Sequence, residues 1–283
     1  MVVAARKSPL GALQAFLIDL DGVVYRGHQP LPGAARFLTC LEQTGRQYRL
    51  VTNNSRLTAE QYVARLAGMG IRVPSQAIVT SAQATAASLS ETYPAGARLL
   101  VIGEEGLVGP ILAAGFYLDD QRPDCVVVGL DTRLTYQRLC RAAQALDRGA
   151  RFVATNPDPR YPMETGFWPG CGAILAFLAA ATGRTPHVVG KPNTTMLRVA
   201  LDSIGAVPAA AAIIGDSLAT DIVSGHAAGL TTLLVLSGVT TAEQAAEAQG
   251  AAEAPDYVFD DLAALTASLE AEIRLTGTEA RGQ

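Results

Sequence analysis

Four short segments of the 283-residue chain carry side chains able to do chemistry: Asp19-Leu20-Asp21-Gly22-Val23, Thr52-Asn53-Asn54-Ser55, Gly190-Lys191-Pro192 and Gly215-Asp216-Ser217, with Asp221 soon after the last. Each alone reads plainly. A D-x-D pair is common, T-N-N-S makes an Asx-type turn, G-K-P is a turn with an exposed lysine, and G-D-S caps a helix. Together they hold what transfer of a phosphoryl group to a carboxylate needs. A phosphomonoester is anionic, so an attacking carboxylate must have its repulsion for the substrate suppressed. Mg²⁺ does this and takes oxygen ligands. Asp19 and Asp216 can offer carboxylate oxygens, and Asp21 its backbone carbonyl. Lys191 would set a compact positive charge against the nucleophile and the phosphoryl oxygens. The Thr52 hydroxyl and the N–H groups of Asn53 and Asn54 would hold the remaining oxygens. In this scheme Asp19 attacks phosphorus, while Asp21 protonates the leaving alkoxide and later deprotonates water.

Strand ends are what position such groups, because an open α/β sheet binds ligands beyond the carboxyl ends of its strands. All four segments follow apolar runs: Ala15 to Ile18, Arg49 to Val51, Val188-Val189 and Ala212 to Ile214. Further strands are expected at Leu99 to Ile102, Cys125 to Val128, Phe152 to Ala154, Leu233 to Leu236 and Tyr257 to Phe259. Helices are expected from Pro32-Gly33 to about Thr44, after a Thr58-to-Gln61 capping box, and at Tyr136 to Leu146, Ala173 to Ala181, Met196 to Ile204 and Ala242 to Ala248. Continuous apolar strands alternating with helices predict an α/β protein with parallel sheets covered on both faces. The chain between Asp21 and Thr52 has room for one helix. That between Thr52 and Lys191 far exceeds a βα crossover, so an inserted α/β domain is expected. The expected division is 1–89 and 186–283 for a core and 90–185 for the insertion.

Composition excludes other classes. The net charge of -4 gives no basic footprint for nucleic acid. Cys40, Cys125, Cys140 and Cys171 form no C-x-x-C pair, and three scattered histidines have no zinc spacing. The longest apolar run, Ala173 to Ala181, falls short of the ~20 residues that span a bilayer. The stretch Leu10 to Ile18 imitates a signal peptide but runs into Asp19 without a small-residue cleavage site. A cytoplasmic protein with neither nucleic acid nor membrane as partner is expected. Gly183 to Lys191 fails as a P-loop, since its glycine spacing is too long and Pro192 stands where Ser or Thr belongs. No G-x-G-x-x-G follows the first strand.

The motifs D-L-D-G-V-V, T-N-N-S, G-K-P and G-D-S-L-A-T-D, spread over nearly the whole chain, resemble the haloacid-dehalogenase superfamily of aspartate-nucleophile phosphatases. Leu31-Pro32-Gly33-Ala34, Thr80-Ser81-Ala82-Gln83-Ala84-Thr85, Val128-Gly129-Leu130-Asp131 and Ala154-Thr155-Asn156-Pro157-Asp158 are similar to the NagD-type branch, with its para-nitrophenyl, phosphoglycolate and pyridoxal phosphatases. The resemblance implies a Rossmann-like parallel core with a large α/β cap between the second and third motifs. It also implies Asp19 as nucleophile, Asp21 as acid/base, Asp216 as a further metal carboxylate and Lys191 as charge stabiliser. Asp221 would orient metal-bound water or Lys191. A small phosphorylated metabolite is the implied substrate, with a homodimer through the cap open to it as in related enzymes. Substrate selection is expected from the proline-stiffened loop Asn156 to Pro162, with Tyr161 contacting substrate. Tyr161 stands where pyridoxal phosphatases carry a histidine, a departure that puts a pyridoxal phosphate preference in question. Trp168 and Cys171 are expected to pack. Competing readings are a dehalogenase or phosphomutase on the same fold and a non-catalytic phosphometabolite-binding protein. The intact set Asp19, Asp21, Lys191 and Asp216 favours catalysis.

Overall fold

Nothing polar interrupts Ala15-Phe16-Leu17-Ile18, and in the computed structural model Ala15–Asp19 is a strand with all five residues buried. It pairs in parallel with Gln47–Thr52 on one side, placing Asp19 opposite Val51, and with Ala211–Gly215 on the other, placing Ile18 opposite Ile214. Thr231–Val235 and Tyr257–Phe259 continue the parallel sheet beyond Ala211–Gly215. The structure describes residues 8–163, 166–249, 251 and 254–279. Close contacts divide the chain into two units. The first comprises Met1–Val51, Arg65–Ala77 and Ala200–Gln283; the second comprises Thr52–Ala64 and Ile78–Val199.

In the first unit Phe16, Leu17, Ile18, Ile213, Ile214, Leu233 and Leu234 are fully buried, as strands covered on both faces require. The helix Ala34–Gln43 brings Phe37 edge-on to Phe16, ring centroids 5.8 Å apart. The stretch Leu10 to Ile18 that imitates a signal peptide is built into this unit: Leu10–Ala12 is a short 3₁₀ turn leading into the central strand. Among the described residues no helix is long and apolar enough to cross a membrane.

The second unit has its own parallel sheet, in the order His187–Val188, Arg151–Ala154, Cys125–Val128, Arg98–Ile102 and Tyr117–Leu118. Val126, Val128, Ile102 and Ala154 form its core with Leu146 from the helix Tyr136–Asp147 and with Leu175 and Leu178 from the helix Cys171–Thr182. Two expectations need correction here. The segment from Asn156 is not a loop through Pro162: Arg160–Met163 is a strand, paired antiparallel with Gly166–Pro169. A two-stranded ribbon has only edges, so Pro162 removes no interior ladder bond. On it Trp168 is 50% exposed, whereas Cys171 packs as expected. The sequence signatures also gain structural reasons. Thr80 and Gln83 form a capping box on the helix Ser81–Thr92, and Asp131 accepts from Arg133 N–H and pairs with Arg138 at 3.1 Å.

Candidate active site

The strand order of the first unit reverses between Ala15–Asp19 and Ala211–Gly215, and the crevice beyond such a switch point is where open α/β sheets bind ligands. Asp19 ends one of these strands and Asp216 follows the other. Asp221 joins them through an unexpected element. After Ser217 the chain makes one wide π turn, Leu218–Ile222, with the N–H groups of Asp221 and Ile222 both donating to Ser217 O. This turn sets Asp221 against the end of the strand, where a Cβ on Gly215 would lie 2.1 Å from that of Asp221. Carboxylate oxygens of Asp19, Asp216 and Asp221 lie within 4.8 Å of one another, and all three residues are buried.

Backbone donors aim these groups. Val239 N–H donates to Asp216 Oδ2 at 2.8 Å, and Ser217 N–H to Asp221 Oδ2 at 3.2 Å. Gly22 and Gly238 leave the room this needs, since a Cβ on either would fall 2.2 or 1.8 Å from Asp216 Oδ2. Three buried carboxylates at this separation repel one another unless a cation gathers them. An all-oxygen donor set suits a hard divalent ion rather than a thiolate-seeking metal. The residues present therefore fit Mg²⁺. Among the described residues the Asp21 side chain is not one of this group. It is exposed, and its Oδ2 accepts from the Tyr25 hydroxyl at 3.1 Å. The Asp21 side chain expected from sequence as a metal ligand therefore stands apart from the three gathered carboxylates.

The second unit places Thr52, Asn53, Asn54 and Lys191 as follows. The Asn53 side chain grips Lys191 from both sides of its backbone: Oδ1 accepts from Lys191 N–H at 2.9 Å, and Nδ2 donates to Lys191 O at 3.0 Å. The same Nδ2 lies 3.1 Å from Asp158 Oδ2, and Asn156 Nδ2 donates to Asn53 O at 2.7 Å. Lys191 is only 2% exposed. Asn54 N–H donates to Thr52 Oγ1, and Asn54 Oδ1 accepts from Arg56 N–H, so T-N-N-S does contain an Asx turn. Tyr161 is half-buried, and its hydroxyl accepts from Arg56 Nη1 at 3.0 Å. Arg56 also pairs with Glu104 at 3.0 Å, and the Thr132 N–H and hydroxyl donate to the same Glu104 oxygen. Burial alone would raise the Glu104 pKa, but Arg56 and Thr132 outweigh it and hold the carboxyl below its ordinary value.

Arg56, Glu104 and the bracing role of Asn53 escape sequence reasoning. Their partners lie 48 to 138 residues away along the chain. For Asn156 and Asp158 the signature was visible and only the partner was not.

Comparisons with known proteins identify the family. Residues 16–117 match the haloacid dehalogenase-like hydrolase family and residues 188–265 a second HAD-hydrolase-like family. An acid sugar phosphatase of Staphylococcus epidermidis is 40% identical over 258 residues, 91% of this chain and 98% of that protein. The crystal structure of a 4-nitrophenylphosphatase from Thermotoga maritima superposes with a TM-score of 0.87 at 36% identity, covering 92% of this chain and 98% of that one. NagD from E. coli gives 0.83 at 36% identity over 89% and 97%. A glycerol phosphate phosphatase from Mycobacterium tuberculosis, solved with magnesium, gives 0.84 at 36% identity over 92% and 78%. Similarity over nearly the full length of such relatives makes the chain a phosphatase of the haloacid dehalogenase-like hydrolases, in their NagD-type branch.

Proposed function

We propose that the chain is a Mg²⁺-dependent phosphomonoesterase that works through an aspartyl-phosphate on Asp19. The buried trio Asp19, Asp216 and Asp221 at the switch point carries this reading. Asp19, Asp216 and the Asp21 carbonyl would hold the ion, with Asp221 orienting its ligands. The bound ion supplies charge neutralisation for the approach of two anions. Asp19 attacks phosphorus, a P–O bond forms to its carboxylate, and the alkoxide leaves with a proton from Asp21. Asp21 then takes a proton from the water that attacks the aspartyl-phosphate, which releases phosphate and restores Asp19. The hydrogen bond from Tyr25 fixes the Asp21 carboxylate for both steps. Thr52, Asn53, Asn54 and Lys191 are assigned the phosphoryl oxygens, with Lys191 held in one backbone position by Asn53.

Residues 90–185 are proposed as the cap, with Tyr161 among its substrate contacts and homodimer formation through it. The relatives' substrates support small phosphomonoesters, namely sugar phosphates, glycerol phosphate or para-nitrophenyl phosphate; nucleoside monophosphates and phosphoglycolate belong to the same class. A kcat/KM panel over these esters ranks them. Asp19→Asn should abolish Mg²⁺-dependent phosphate release from para-nitrophenyl phosphate while far-UV circular dichroism stays native. Substantial residual turnover in that variant, or full wild-type turnover in excess chelator, would refute the mechanism.

A further inference from the structure

A cavity of about 610 Å³ opens in the second unit among residues that none of the four motifs contains. Its size is that of a small-molecule site. The wall is formed by the last turns of the helix Ser81–Thr92, the start of the strand Arg151–Ala154 and the turn leading into His187–Val188. Arg151, Arg184 and His187 line it together with Ser88, Thr92 and Thr185, and among the described residues no Asp or Glu does.

The neighbouring acids are already engaged. Glu91, next to Thr92, pairs with Arg198 through both oxygens at 3.0 and 2.9 Å. Asp124, next to the Cys125 that faces Arg151 across the sheet, is held by Arg98 at 2.9 and 3.3 Å and by the Arg98 N–H. Most arginines of the described chain have an ion pair or a carbonyl acceptor. Among the described residues, the Arg151 and Arg184 side chains have neither. Two unneutralised guanidinium groups in one cavity, with an imidazole and the Ser88 and Thr185 side chains beside them, form a donor set suited to a phosphate dianion, while the Thr92 hydroxyl is spent on Ser88 O at 3.1 Å.

We propose that this cavity binds a small organic phosphate, its phosphate on Arg151 and Arg184 and its body along the hydroxyl-lined wall. The proposal rests on the second unit alone and does not depend on the mechanism above.

Inorganic phosphate is the probe, titrated calorimetrically into the full chain in excess EDTA, where the Asp19, Asp216 and Asp221 carboxylates repel anions. One binding event is expected, weakening as NaCl rises. Arg151→Ala/Arg184→Ala should lower its affinity at least tenfold, and Arg151→Lys/Arg184→Lys less. Both variants should keep the wild-type circular dichroism spectrum and kcat for para-nitrophenyl phosphate with Mg²⁺. No binding at millimolar phosphate, or equal affinity in wild type and the alanine variant, would overturn the proposal. Should the alanine variant misfold, the lysine variant decides, since affinity and salt dependence unchanged from wild type would exclude a bidentate arginine site.

Discussion

At Gly22 a single methyl group would meet the Asp216 carboxylate at 2.2 Å, and the residue holds φ +82°, which favours glycine. Gly22→Ala therefore carries two penalties, backbone strain of roughly 1 kcal/mol and a displaced carboxylate. The displacement should weaken apparent Mg²⁺ affinity by about 10–100-fold, the range for disturbed supports of metal ligands. Activity measured against Mg²⁺ concentration checks this: the half-saturating concentration rises, and an unchanged value would show that Asp216 is not confined by Gly22. At this scale the sequence is most readable where chemistry itself dictates residue type. Asp19, Asp21, Asp216 and Lys191 stand out in the sequence because the carboxylate nucleophile proposed here would need a cation, a proton carrier and a charge partner. The glycines around Asp216 carry no such signal, since their reason is a clearance that exists only once Gly238 folds back beside Asp216.

Among elements, Thr80 shows how a family signature can be a folding device. It is almost fully buried, its hydroxyl accepts from Gln83 N–H, and Gln83 reaches back to the Thr80 N–H. Thr80→Ala should destabilise the protein by about 1 kcal/mol, read as a lower midpoint in urea with an unchanged slope. The Thr58–Gln61 capping box is legible from sequence and present, with Thr58 N–H donating to Gln61 Oε1 at 2.9 Å. The principal strands are legible too, because uninterrupted apolar runs such as Cys125-Val126-Val127-Val128 have few other uses. The π turn at Leu218–Ile222 is not. It arises where a helix start must bring Asp221 back against Gly215, a demand from three dimensions rather than from local propensity. The strand Arg160–Met163 hides for another reason: Pro157, Pro159 and Pro162 advertise a stiff loop.

For the molecule as a whole, the four thiols report whether both units stay closed. Cys125 and Cys171 are buried, and burial pushes their thiols up to about 11 and about 12. Cys40 is also buried and raised, first by desolvation and then by Glu270. A raised thiol stays protonated at pH 8 and is a poor nucleophile. Cys140 alone is part-exposed, so a disulfide reagent should titrate one thiol quickly in native protein and all four in guanidinium. Four fast thiols in the native protein would mean that the cores open readily.

The threading of the chain carries a temporal consequence. The sheet bearing Asp19 draws Ala211–Gly215, Thr231–Val235 and Tyr257–Phe259 from the last third of the sequence, whereas every residue of the second unit precedes Ala200. During synthesis the ribosome therefore delivers the whole second unit first. Asp19 emerges early yet waits on a nascent strand edge until its other neighbour, and Asp216 with it, leaves the exit tunnel.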